Sequence, residues 1–122
     1  MPLRERSAPA HARPTPGEMK EAFAALHEAL REAYWEASPI AAKDRIHGLE
    51  EVVFEIQTGL NRAELSTRSA AYRTLKEEVL RANDSLEQLK GEIDGIVRTV
   101  DTAQRLASAI DRAVNLARGF IA

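Results

Sequence analysis

The side chains able to do chemistry in this sequence are few and scattered. His11, His27 and His47 are the only histidines, and cysteine is absent. Asp44 and His47 lie three apart and can share a helix face, which makes half of a carboxylate-bridged metal site. Such sites want Glu ligands and two Glu-x-x-His elements on facing helices. A single Asp-x-x-His is present, so a solvated surface pair is the better reading. Glu50 and Glu51 are adjacent, point to different sides of a helix, and do not form an acid–base dyad. No GxGxxG, Walker A or HExxH pattern occurs. These observations point away from an enzyme. No catalytic, cofactor-binding or metal-ligating residue is expected, and no cofactor or small-molecule substrate.

Binding chemistry has more to work with. Arg98, Arg105 and Arg112 recur every seven residues and form a stripe that nucleic acid could use. Phosphate binding needs several uncompensated cations, and Asp94 and Asp101 stand four residues before the first two arginines. A solvated face laced by helical ion pairs is therefore expected, and nucleic acid is disfavoured. Tyr34-Trp35 carries the only tryptophan. The favoured reading has these rings plugging the end of a bundle. The alternative is an exposed anchor for a partner, since both residue types are enriched in binding hot spots.

The frame that must position these groups is helical. Composition is rich in Ala, Leu, Glu and Arg, with three Phe, two Tyr and one Trp, which favours helix over sheet. With 122 residues the chain fits one domain. Its net charge of −2 provides no basic field for nucleic acid or an anionic membrane. No apolar run approaches the roughly 18 residues that span a bilayer, and no Sec signal peptide is visible. A cytoplasmic location is expected. Trp35 is followed by Glu36-Ala37, so the W-x-G turn of small secreted helical hairpins is absent, and no family resemblance is drawn.

Residues 1–15 contain Pro2, Pro9 and Pro14, three arginines and no periodicity, which predicts a disordered, mildly basic arm. A helix over about 16–37 opens with Thr15-Pro16-Gly17-Glu18, which reads as a capping box with proline at the first helical position. Its apolar face is Met19, Phe23, Leu26, Leu30, Ala33 and Ala37. Ser38-Pro39 predicts a kink or corner, with Ser38 capping a second helix over about 39–58. That helix shows Ala42, Ile46, Leu49, Val53, Ile56 and Leu60 on one face. Gly59 is expected in the left-handed position that ends it. Asn61 with Glu64, and Leu60 with Leu65, have the spacings of a capping box and a hydrophobic staple for the next helix.

Beyond that turn, Tyr72, Val79, Leu86, Ile93, Val100, Ala107, Val114 and Ile121 are seven apart. Leu75, Ala82, Leu89, Ile96, Ala103, Ile110 and Ala117 fill the complementary positions. A sustained 3.5-residue period predicts a long coiled-coil-like helix. Asn83-Asp84-Ser85 is the candidate break, giving helices over about 61–83 and 85–119, but the unbroken register favours continuity. The expected fold class is all-α, an antiparallel hairpin or bundle with a long C-terminal heptad helix.

Length then sets the functional expectation. Pro16 to Thr58 spans about 65 Å as helix and Asn61 to Gly119 about 88 Å. Folded at Gly59, the second arm overhangs from Arg105 onward. Its apolar face, with Leu106, Ile110, Ala113, Val114, Leu116, Ala117, Phe120 and Ile121, is wider than a two-stranded seam needs. Two readings stand side by side. These residues are core, or they bind a second copy or another protein. An interfacial membrane helix is disfavoured by Asp101 and Asp111 on the polar side. Residues 15–58 carry nine acids and four bases (net −5), whereas 59–122 carry nine acids and ten bases (net +1). That contrast biases the arms to pair with each other. The expected function is protein–protein association by a structural subunit. The competing class is a small regulatory binder such as an immunity protein, antitoxin or inhibitor, and a nucleic-acid accessory role is third.

Overall fold

The computed structural model describes residues 14–62 and 69–121. It is all-helical, with α1 (Pro16–Glu36), α2 (Ile40–Asn61), α3 (Ala70–Lys90), the single turn α4 (Ile93–Ile96) and α5 (Val100–Ile121). The four long helices pack in a ring that follows chain order, α1 on α2, α2 on α3, α3 on α5 and α5 back on α1. One continuous core fills the space between them. Of the arm expected over residues 1–15, residues 1–13 lie outside the described residues. Pro14 and Thr15, by contrast, belong to the fold.

Local signals explain most of α1 and α2. The Thr15 hydroxyl accepts the Glu18 N–H at 3.1 Å, and the Glu18 carboxylate accepts the Thr15 N–H at 2.8 Å. The expected capping box is present, and it fixes the start of α1 by satisfying two otherwise orphan donors. All twelve apolar residues assigned to the faces of the first two helices are buried, from Met19 to Ala37 and from Ala42 to Leu60. At the Ser38-Pro39 corner the chain turns so that α2 packs against α1. Ser38 does not cap, however. The N-cap of α2 is Pro39, and no side chain accepts from its first turn.

Gly59 has a different role from the expected one. Helix α2 continues through Asn61, and no described glycine has positive φ. A Cβ on Gly59 would lie 3.0 Å from Leu75 Cδ1. The glycine is there for the close approach of α3, whose Leu75 is buried. Glu64 and Leu65, on which the next cap and staple depended, lie outside the described residues. Asn61 is the last residue of α2, and α3 is capped instead by the Ser69 hydroxyl, which accepts the Tyr72 N–H at 3.0 Å.

The long heptad helix is not formed. Asn83-Asp84-Ser85 runs unbroken inside α3, with Asn83 buried. The chain breaks instead at Gly91-Glu92 and again at Val97, which is extended at φ −102° and ψ 127°. Two glycines, each unfavourable in a helix by about 1 kcal/mol relative to Ala, flank this region at Gly91 and Gly95. The break resets the phase of the seam. Val100 is 71% exposed, whereas Leu106, Ala113 and Phe120, read from sequence as a flank, are buried. Asp94 and Arg98 fall on opposite sides of the break, so their expected helical pair is not made, while Asp101–Arg105 is present at 3.7 Å.

With the chain broken at Ser38-Pro39 and at Gly91–Thr99 as well as after α2, the length mismatch disappears and α5 packs on α1 and α3. Leu106, Ile110, Ala113, Val114, Ala117 and Phe120 are buried, and Leu116 and Ile121 are partly buried against the same core. Phe120 stacks near Tyr72 with ring centroids 6.0 Å apart. At the C-terminal end of α5, Gly119 leaves room for the Pro14 ring, which would stand 2.9 Å from an added Cβ. The apolar end of this chain is the fourth wall of its own core.

Candidate functional site: the clasped end of the bundle

The corner between α1 and α2 and the corner between α4 and α5 meet at one end of the bundle. Ala37 and Val97 form an isolated antiparallel bridge. Ser38 N–H donates to the Ile96 carbonyl at 3.0 Å, and Arg98 N–H donates to the Glu36 carbonyl at 3.3 Å. The Glu36 carboxylate completes the clasp by accepting the Thr99 N–H and the Thr102 hydroxyl, each at 2.9 Å. A side chain of α1 therefore serves as the N-terminal cap of α5. Hydrogen bonding from Thr99 above all, then from Thr102 and with the nearby Arg98 charge, holds the Glu36 carboxyl below its usual range.

Around this polar clasp, exposed apolar side chains stand among charged ones. Among the described residues the three most exposed large hydrophobic side chains are Trp35 (77%), Ile40 (74%) and Val100 (71%). They come from the last turn of α1 and the first residues of α2 and α5, so all three sit at the clasped end. The reading of Trp35 as a plug is corrected. Tyr34 is partly buried and lies against the core, whereas Trp35 is thrown outward at the end of its helix. The two rings meet edge to face with centroids 5.3 Å apart. Lys43 fixes them from α2. Its ammonium lies 4.3 Å from the Tyr34 centroid and 5.8 Å from that of Trp35, and it donates to the Tyr34 carbonyl. A ring braced in this way loses little freedom on binding, which suits an anchor. Beside it lies an open hollow of about 480 Å³ between the two corners, with Trp35, Lys43, Asp94 and Arg98 on its rim.

The other candidates are accounted for within the fold. Arg105 pairs with Glu32 at 3.2 Å and Arg112 with Glu21 at 3.7 Å, so two members of the arginine stripe tie α5 to α1. Lys90 of α3 pairs with Asp111 of α5, and Arg45 of α2 with Glu92 at 2.6 Å. Lys90 is held above its usual range by the hydrogen bond to Asp111, and Glu92 below its own by that from Arg45. The carboxylates nearest His47 are Glu50, 3.6 Å from Nδ1, and Glu51, 3.9 Å from Nε2. His27 faces the exposed Phe54 ring, with centroids 6.1 Å apart. No group of three His, Cys, Asp or Glu among the described residues is placed to hold a metal ion. No described helix is long and apolar enough to cross a membrane.

The residues that sequence reasoning missed are Ile40 and Val100. Each looked ordinary, Ile40 as a residue after a proline and Val100 as a seam position. Their exposure follows from the two corners, which the periodic pattern did not reveal. No family model matches the chain, and neither a curated protein nor a solved structure matches it.

Proposed function

We propose that this protein is a non-catalytic protein–protein association module whose binding surface is the clasped end of the bundle. The observation that carries the reading is the grouping of Trp35, Ile40 and Val100, each more than 70% exposed, at that one end. Scattered apolar side chains on a surface are ordinary, whereas a group that includes an exposed Trp marks an interaction site. The expected face from Leu106 to Ile121 is not part of this proposal, because its burial is needed to close the core. We read the bundle as antiparallel. Supporting this, the partners on α1 fall from Glu36 to Glu32 to Glu21 as those on α5 rise from Thr102 to Arg105 to Arg112. The long supercoiled seam is replaced by bundle packing, in which each helix faces two neighbours.

Affinity capture with the full chain and with Trp35→Glu tests the reading. Proteins held by the wild type and released by the variant are the expected result. A bound set indifferent to Trp35 would remove this end from the function.

A further inference from the structure

We infer that the occupant of the clasped end is a second copy of the same chain, docked about a two-fold axis. The inference rests on the association reading above and adds the identity of the partner. A two-fold interface uses one patch twice, so the patch must complement itself.

Two features of this end meet that requirement. The first is an unmade cap. Helix α2 starts at Ile40 with no described side chain accepting from its first turn and no acidic residue within it. The N–H groups there carry the positive end of the helix dipole. Asp94 lines the hollow with Ser38 and Lys43, which flank that start, and it is exposed and makes no ion pair among the described residues. In a two-fold pairing the carboxylate of each copy can meet the α2 start of the other. The second feature is balanced charge. Lys43 and Arg98 share the rim with Glu36 and Asp94. A strongly basic or strongly acidic partner would meet like charge there, whereas a copy of the same rim offers both signs. The net charge of −2 leaves little long-range repulsion between copies.

The apolar anchors then face one another, Trp35 and Ile40 of one copy against those of the next, with Lys43, Asp94 and Arg98 of the hollow beside Trp35. The patch covers one end of a small bundle. That places it at the lower end of interface sizes, below about 1,200 Å² in total, where association is weak and reversible.

Sedimentation equilibrium of the full chain, from about 5 to 300 µM, reads the result directly. The expected outcome is a monomer–dimer equilibrium in the micromolar range. The emission of Trp35, the only tryptophan, should shift to shorter wavelength in step with dimer formation. Trp35→Glu and Ile40→Glu should each weaken the dimer at least about tenfold, as loss of a central anchor does, with the helical circular dichroism unchanged. Asp94→Asn should weaken it less, because one charged contact is removed and the apolar anchors remain. A dimer that survives Trp35→Glu overturns the inference, and so does a single monomeric mass across the range. If the chain is monomeric but captures another protein in a Trp35-dependent way, the second copy is excluded and the association reading stands. If it is monomeric and captures nothing through Trp35, both fall.

Discussion

Glu36 and Thr102, 66 residues apart in sequence, are joined by a 2.9 Å hydrogen bond from the threonine hydroxyl to the carboxylate Oε2. With the Thr99 N–H on Oε1, this one side chain ends α1, caps α5 and holds two corners of the bundle together. The same clasp sets the positions of Trp35, Ile40 and Val100, so stability and the proposed surface are linked through it.

Acid should weaken the clasp. The Glu36 carboxyl titrates lower in the folded protein than its ordinary value of 4.5. As pH falls, the unfolded chain therefore takes up this proton before the folded one. The stability it contributes is complete above the unfolded value and is lost as pH drops through the folded one. Glu36→Gln removes that dependence while keeping a similar shape. Thermal unfolding of both proteins between about pH 6 and pH 2.5 should show a steeper acid decline for the wild type. Parallel curves would show that the clasp contributes nothing.

Two glycines of α2 should respond in opposite ways to added side chains. Nothing lies within 4 Å of a Cβ at Gly48, so Gly48→Ala should stabilise by about 0.5–1 kcal/mol through helix propensity alone. At Gly59 the added Cβ already stands 3.0 Å from Leu75 Cδ1. Gly59→Val should destabilise by about 1–3 kcal/mol through overpacking. Urea unfolding measures both, and a stabilising Gly59→Val would show that α3 can move away at no cost.

Ile110 is fully buried, and its truncation to Ala should cost about 2–5 kcal/mol in chemical denaturation. Ile110→Asp, with Val114→Asp, should unfold the protein, since the charges would have no partner in the core. A folded double variant with only its association lost would instead restore the C-terminal face as a docking surface.

Asn83 is buried in α3, and its Oδ1 has no hydrogen-bond partner among the described residues. Asn83→Leu removes an unsatisfied polar group from an apolar setting, so it should be neutral or stabilising by roughly 1 kcal/mol. Midpoint shifts in urea check this. A loss of more than about 1 kcal/mol would show that the amide has a partner the folded chain requires.

The amino-acid sequence by itself settles the helical class, the start of α1 and the buried faces of α1 and α2. Those features are local. A capping box spans four residues, and an apolar face repeats within each turn. The sequence also carries the charge contrast that the ion pairs from Glu32 to Arg105 and from Glu21 to Arg112 express. In the second half the expected α3 seam of Tyr72, Leu75, Val79, Ala82, Leu86 and Leu89 is buried, whereas two registers fit α5 equally well. Ala103, Ile110 and Ala117 are core in both. The choice between Val100 with Ala107 and Leu106 with Ala113 depends on which helices stand beside α5. That choice is made by the corner at Gly91–Thr99, where hydrogen bonds to Glu36 and Ile96 replace the helical ladder. Such bonds join residues about sixty positions apart, beyond the reach of any local pattern. The tertiary structure therefore decides that the apolar C-terminal helix is core and that Trp35, Ile40 and Val100 face outward, because burial depends on neighbours that only the folded chain brings together.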